Sequence, residues 1–217
     1  RRKETIGDVD LLARFEGDGT PVVDRFVAFD GAARIEGQGP TKGSIVLQSG
    51  LQVDLRVIPK RSYGSALVYF TGSKEHNVAI RTRAVREGLR VNDWGVFRVP
   101  EDADPETLGK EEGKRLAGKT EKEVYAALGM AWVPPELREN RGEVDAALAD
   151  ELPELVTLED IRGDLQMHST WSDGQVSMEE MAVAWRDLGY EYIAVTDHSQ
   201  AMAMVQGLTP ERAREQW

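Results

Sequence analysis

The chain has 217 residues, 41% of them hydrophobic and 30% charged, with a formal net charge of −11. That balance is typical of a globular protein, and no apolar run reaches the roughly 20 residues that a membrane-spanning helix needs. Cysteine is absent, which excludes disulfides, thiol nucleophiles and thiolate-held zinc and makes a reducing cytoplasm the default compartment.

In chain order, the first segment, to about Lys60, reads as β-rich. Val9 and Leu11 alternate with Asp8 and Asp10, and Ser44 to Leu47 and Leu51 to Ile58 form two further apolar stretches around a Ser49-Gly50 turn. Gly37 to Gly43 reads as a loop. A helix is expected from about Lys74 to Glu87, capped by Ser73 and ended by Gly88. A second begins at Thr120 with the capping box Thr120-x-x-Glu123 and stops near Gly129. After Pro134-Pro135 comes an acidic stretch, Glu136 to Asp160, expected to be a linker over 141–160 with room for a short helix. The last part reads as strand (Asp164 to His168), helix (from the capping box Ser177-x-x-Glu180 to Gly189) and strand (Tyr192 to Thr196), one βαβ unit. His168 and His198 fall at or just past the strand ends, where barrels of parallel strands carry their chemistry.

Charge is unevenly distributed. Residues 1–98 carry a net of +4, residues 99–150 a net of −6 and residues 151–217 a net of −9. Arg81, Arg83, Arg86, Arg90 and Arg98 fall in the basic part. Such a run can follow a polyphosphate backbone, or it is a solvated helix face.

Asp8 and Asp10, at i and i+2 on a strand, point to one face. Like charges that close raise each other's pKa unless a cation sits between them, and Mg²⁺ suits two carboxylates plus substrate phosphates. The alternative is two acids on the wet face of an edge strand, against which the apolar flank Ile6, Val9, Leu11 and Leu12 argues for a mostly buried strand. Asp54, on another apolar strand, is a third carboxylate for a two-metal phosphoryl-transfer site.

Three ordered motifs, Arg1 to Leu12, Val53 to Pro59 and Leu67 to Ser73, resemble the family X DNA polymerases. They are most similar to bacterial members that join the polymerase to a C-terminal PHP (polymerase and histidinol phosphatase) domain. Gly163 to Gly174 and Ile193 to Ser199 resemble the opening of that PHP domain. The resemblance implies an α+β nucleotidyltransferase palm (1–60) and thumb (61–140), the linker, and the start of an α/β PHP barrel (161–217).

It also implies roles. Asp8, Asp10 and Asp54 would be catalytic and hold Mg²⁺ or Mn²⁺, with Asp54 helping to deprotonate the primer 3′-hydroxyl. Arg1 would contact the triphosphate, and Tyr69, Phe70 and Gly72 would pack on the incoming sugar and disfavour a 2′-hydroxyl. Asn77 would bond the nucleotide base from the minor groove, and Arg81 and Arg56 would contact DNA. Asn77 and Arg81, four apart, share a helix face. Each has a plainer alternative: core aromatics for Tyr69 and Phe70, a surface residue for Asn77, one of a solvated row for Arg81, and a carboxylate partner for Arg56. Gln52 stands where vertebrate members carry a basic residue.

In the PHP part, His168, Asp173 and His198 would be ligands for Mn²⁺ or Zn²⁺, with Asp197 orienting them, in support of 3′→5′ exonuclease or other phosphoesterase activity. Gln166 replaces the first His of the usual His-x-His, which weakens one metal position. The chain opens without Met and ends after about one βαβ unit, so the reading expects a piece of a longer protein whose nuclease site is incomplete here. The implied partners are gapped or primer–template DNA and deoxynucleoside triphosphates (dNTPs), with no membrane, for a monomeric, cytoplasmic repair polymerase. Two rivals remain open: an untemplated nucleotidyltransferase, and a DNA-binding protein whose PHP phosphoesterase is the main activity.

Overall fold

A computed structural model describes residues 1–100, 109–202 and 204–217. The chain divides into two compact units, 1–153 and 154–217.

The first unit opens with a four-stranded sheet built from β1 (Asp8–Arg14), β2 (Ala32–Gln38), β3 (Lys42–Leu47) and β4 (Gln52–Ile58). The strand order is β1-β4-β3-β2, with β1 parallel to β4 and the other pairs antiparallel. The parallel β1–β4 pair requires a crossover, and α1 (Thr20–Val27) begins it. Pro21 occupies its first turn, where the missing N–H costs nothing. Val23 and Val27 of α1 bury against Ile45, Val53, Leu55 and Val57, so the sheet face that α1 covers is core.

Two expectations fail here. β1 is an edge strand with Leu11 43% and Ile6 65% exposed, not a mostly buried one. The physical reason is that α1 packs chiefly on β2, β3 and β4, so at the edge only Val9 and Ala13 of β1 reach the core. The loop expected over Gly37 to Gly43 shrinks to 39–41, because β2 and β3 extend into it as a hairpin.

The rest of the unit packs α2 (Tyr63–Thr71), α3 (Lys74–Arg86), α4 (Glu121–Ala127) and α5 (Glu143–Ala149) around an antiparallel sheet, β5 (Leu89–Asn92), β6 (Gly95–Arg98) and β7 (Lys114–Ala117). Its core joins Val68, Ile80, Val96, Tyr125, Leu128 and Val133. Ser73 caps α3 by accepting from His76 N–H, and Thr120 and Glu123 form the expected capping box of α4. Gly64 of α2 lies so close to Thr120 that a Cβ would sit 2.1 Å from its backbone carbonyl carbon. The expected linker over 141–160 is shorter than its composition suggested: α5 falls inside it, and Ala147 is buried in the core with Val144 and Leu148 packed against it.

The second unit contains β8 (Gly163–Met167) and β9 (Tyr192–Val195), a parallel pair joined through α6 (Met178–Asp187), followed by α7 (Pro210–Gln216). Ser177 and Glu180 form the capping box of α6. His168 follows β8 directly, and His198 lies three residues past β9.

Candidate active site

The register of the first sheet aligns Asp10 with Asp54, and Asp8 with Gln52. Neighbouring residues of paired strands project to the same side, so Asp8, Asp10 and Asp54 share the face opposite α1. On the other flank of β4, Ser44 aligns with Asp54 and Lys42 with Arg56. An open concavity of ≈ 250 Å³ is lined by Gly37, Lys42, Ser44, Gln52, Asp54 and Arg56. Lys42 and Ser44 were not singled out from the sequence; only pairing to β4 reveals them.

Burial pushes the Asp10 carboxyl above its usual range, Asp8 and Asp54 add to that, and Arg56 opposes it. An oxygen-only set with this mutual repulsion fits a hard divalent cation such as Mg²⁺. The three carboxylates are not drawn into a tight cluster, however: among the described residues, only His168, Asp173 and His198 bring three donor atoms within 4.8 Å of one another. The Gln52 amide donates to both Asp54 oxygens, at 3.2 and 3.3 Å, and so occupies the position expected to be basic.

The other expected residues collect around the α2–α3 junction. Arg1 donates through Nε to Glu139 (2.8 Å) and through Nη1 to the Thr71 carbonyl (2.7 Å), so the arginine expected on a triphosphate is held by protein groups here. Gly72 is buried with φ +68°, and a Cβ there would meet Arg1 Nη1 at 3.0 Å. Tyr69 is 41% exposed and meets Phe70 edge-on at 5.1 Å, so neither is simply a core aromatic. Arg56 stands 5.5 Å over the Phe70 ring, and among the described residues no ion pair joins it to a carboxylate. Asn77 donates to the Tyr69 carbonyl (2.7 Å), which ties α3 to the aromatic pair.

Of the basic run, Arg81, Arg86 and Arg98 are exposed. Arg83 pairs with Glu87 (2.7 Å), and Arg90 donates to the carbonyls of Gly109 and Glu112. The run is therefore partly committed to the fold.

In the second unit, the His168 and His198 rings stack at 4.4 Å with 14° between their planes. Asp173 lies 3.8 Å from His168 Nδ1 and 3.7 Å from His198 Nε2. His168 Nδ1 is buried without a hydrogen-bond partner among the described residues. Two imidazoles, one of them with an orphaned ring nitrogen, and a carboxylate fit a borderline metal such as Zn²⁺ or Mn²⁺. Gln166 touches the other face of the set, its amide 3.1 Å from His168 Nε2. Asp197 accepts from Ser169 N–H (2.7 Å), from the Ser169 and Ser172 hydroxyls and from Gln216. Burial would raise its pKa, but these bonds outweigh burial and hold it low. It braces the loop that carries Asp173.

A family model described as DNA polymerase beta thumb matches residues 66–139. Over 218 aligned residues the chain is 37% identical to the DNA polymerase/3′-5′ exonuclease PolX of Bacillus subtilis, which covers all of this chain and 36% of that protein. It is 27% identical to rat DNA polymerase lambda over 165 residues, or 64% of this chain and 27% of that one. The chain thus spans about a third of the length of these curated relatives. Among solved structures it is similar to Leishmania infantum polymerase beta in a ternary P/T complex. The TM-score there is 0.53 at 29% identity, covering 64% of this chain and 63% of that chain. No helix of the described residues is long and apolar enough to cross a membrane.

Proposed function

The chain belongs to the family X DNA polymerases, as a partial representative, and from that membership we propose that it adds nucleotides to a primer as directed by a template. The observation that carries this reading is the alignment of Asp10 with Asp54 across β1 and β4, on the sheet face that α1 leaves free. Asp54 accepts the proton of the primer 3′-hydroxyl. The hydroxyl oxygen then forms its bond to the α-phosphorus of the incoming dNTP as the bond to pyrophosphate breaks. Asp8, Asp10 and Asp54 would hold Mg²⁺ or Mn²⁺, which supplies charge neutralisation for the triphosphate and acidifies the primer hydroxyl.

The remaining residues orient the reactants. Tyr69 and Phe70, with Gly72 beneath them, form the surface for the sugar. Asn77 reads the base edge, Arg81 meets the template and Arg56 the primer side. Arg1, held by Glu139 and the Thr71 carbonyl, lies beside Gly72 within reach of phosphates. The substrate in this reading is a short gap in duplex DNA undergoing repair in the cytoplasm. In the same reading, His168, Asp173 and His198 would hold Mn²⁺ or Zn²⁺ as part of a PHP-type 3′→5′ exonuclease site, with Asp197 bracing the loop around Asp173.

The test is single-nucleotide addition on a gapped duplex with Mg²⁺ or Mn²⁺, run beside Asp54→Ala. Templated addition that falls at least about a thousandfold in the variant, with DNA affinity retained, is the expected result. Normal rates in Asp54→Ala would remove Asp54 from the chemistry. Addition that ignores the template would replace this reading with an untemplated transferase.

A further inference from the structure

His76 is the first residue of α3 to point fully inward. Its side chain has no exposed surface, yet both ring nitrogens are engaged. Nδ1 lies 2.6 Å from Glu143 Oε1 of α5, and Nε2 lies 2.9 Å from the Tyr125 hydroxyl of α4. The Glu143 carboxylate also accepts the backbone N–H groups of Asn140 (2.9 Å) and Arg141 (2.7 Å). An ionised carboxylate only accepts, so Nδ1 carries the proton. Nε2 of the neutral ring is then the acceptor for Tyr125 O–H. Burial favours that neutral ring over the opposing pull of Glu143, and it also keeps the Tyr125 phenol protonated. The result is a directional relay, Tyr125 to His76 to Glu143, that joins three helices with every member satisfied.

An apolar side chain of similar volume would fill the same space. Hydrogen bonds of fixed direction do more, because they permit a single rotation of the helix that carries them. The next residue is Asn77, and Arg81 follows one turn later. Slipping the helix by one residue turns its side chains by about 100°, which would carry both away from the face they share. At the same turn, Ser73 accepts from His76 N–H (3.1 Å), and its own N–H donates to the Arg138 carbonyl (2.9 Å). The end of α3 bearing Asn77 is thus the end that the relay fastens.

We propose that His76 is a positioning residue for nucleotide selection: held between Glu143 and Tyr125, it sets the rotation of α3 that presents Asn77 and Arg81 to the nascent base pair. This rests on the reading of Asn77 given above. His76 touches no substrate and acts through Asn77.

The experiment is steady-state incorporation of a matched dNTP on a gapped duplex by the full natural chain carrying His76→Phe, His76→Gln, Tyr125→Phe, Asn77→Ala, or His76→Phe with Asn77→Ala. His76→Phe is expected to raise KM for the dNTP about tenfold with kcat changed less than about twofold, and Tyr125→Phe to raise KM about threefold. His76→Gln, which can still donate to Glu143 and accept from Tyr125, stays within about threefold of the wild type. In the Asn77→Ala background, His76→Phe should add nothing further, the non-additivity of residues acting through one contact. Fully additive losses, or a lowered Tm with KM unchanged, overturn the proposal and leave the Asn77 reading standing. An unchanged KM in Asn77→Ala alone overturns that reading, and the proposal with it. Should His76→Phe fail to fold, Tyr125→Phe, which removes one hydroxyl, carries the same comparison with Asn77→Ala.

Discussion

Arg138 offers the most quantitative check on how the first unit is held together. Its guanidinium has no exposed surface, donates from Nη1 to Glu121 at 2.7 Å and from Nε to the Val133 carbonyl at 3.0 Å, and stands 5.3 Å over the Tyr125 ring. Arg138→Met keeps most of the volume and removes the charge. Breaking a buried pair from one side costs about 3–5 kcal/mol, because the other charge is left uncompensated. Two features pull the expected value to the low end. Glu121 is 17% exposed and keeps a bond from Trp132 Nε1. Arg138 Nη2 has no partner among the described residues, so methionine also relieves a desolvated donor. The expected loss is about 3 kcal/mol, measured by urea unfolding followed by far-UV circular dichroism, with an unchanged slope to show that the same transition is compared. Hydrogen exchange should quicken in α3, α4 and α5. Adding Glu121→Gln should restore about 1–2 kcal/mol by removing the stranded charge. A loss under about 1 kcal/mol, or a double variant as damaged as the sum of the singles, would refute the account of Arg138 and Glu121 as a buried, mutually dependent pair.

The relay predicts acid sensitivity. His76 is neutral in the fold because burial pushes it down, so below its unfolded pKa of about 6.5 the unfolded chain binds the extra proton and stability falls with pH. Burial would raise Glu143, but its bonds from His76, Arg141 and Asn140 win and hold it low; its contribution, present above an unfolded pKa of about 4.3, is lost as pH falls through the folded value. Tyr125 bonds the imidazole, and Arg138 and Glu139 act on it through their charge; burial holds the Tyr125 phenol protonated, and bonds from Lys3 and Arg1 hold Glu139 low. Thermal melts should therefore decline from about pH 6.5 downward and steepen below about pH 4.5, and His76→Gln should abolish the upper part alone; a variant with the same profile as the wild type would clear His76 of responsibility. Gly64→Ala should destabilise by more than about 3 kcal/mol, because its Cβ would meet the Thr120 backbone at 2.1 Å; denaturant unfolding checks this, and a neutral result would mean that α2 and α4 can separate freely.

What could be read from the sequence was what the chain encodes locally. Ser73, the Thr120–Glu123 box and the Ser177–Glu180 box are side-chain bonds spanning three residues, and each starts its helix where the residue types indicate. α2 was missed because Tyr63–Thr71 is apolar nearly all round, and a helix without a polar face has no amphipathic period to detect. The signal for α1 was present, with Pro21 at its start and Val22, Val23, Phe26 and Val27 at helical spacing. The acidic composition of 141–160 left room for a short helix but concealed that α5 is packed into the core, since Glu143 turns inward to a histidine 67 positions away. A carboxylate's burial depends on a partner that no local window contains. The exposure of β1 was misjudged for a similar reason: its apolar residues show that it is a strand, but where α1 lies across the sheet decides how much of it is covered.

The same crossover explains how the candidate carboxylates come to share the face that α1 does not cover. A parallel β1–β4 pair obliges the chain to travel back before β4 can form, and here the return is spent on α1, β2 and β3. α1 takes one side of the sheet and seals it with Val23 and Val27. Because side chains alternate along a strand, the residues between the buried Val53, Leu55 and Val57 must point the other way, and these are Asp54 and Arg56. β4 is paired on both sides, so Asp54 is fixed between Asp10 and Ser44. Asp8 and Asp10 lie on an edge strand with a partner on one side only. Sliding β1 by one residue would send both of its carboxylates to the α1 face, where aspartates would lie against valines at a cost that the register avoids. The hydrophobic packing behind the sheet therefore selects the register that gathers the carboxylates in front of it, and Asp54 is the member of the trio with the least freedom to move.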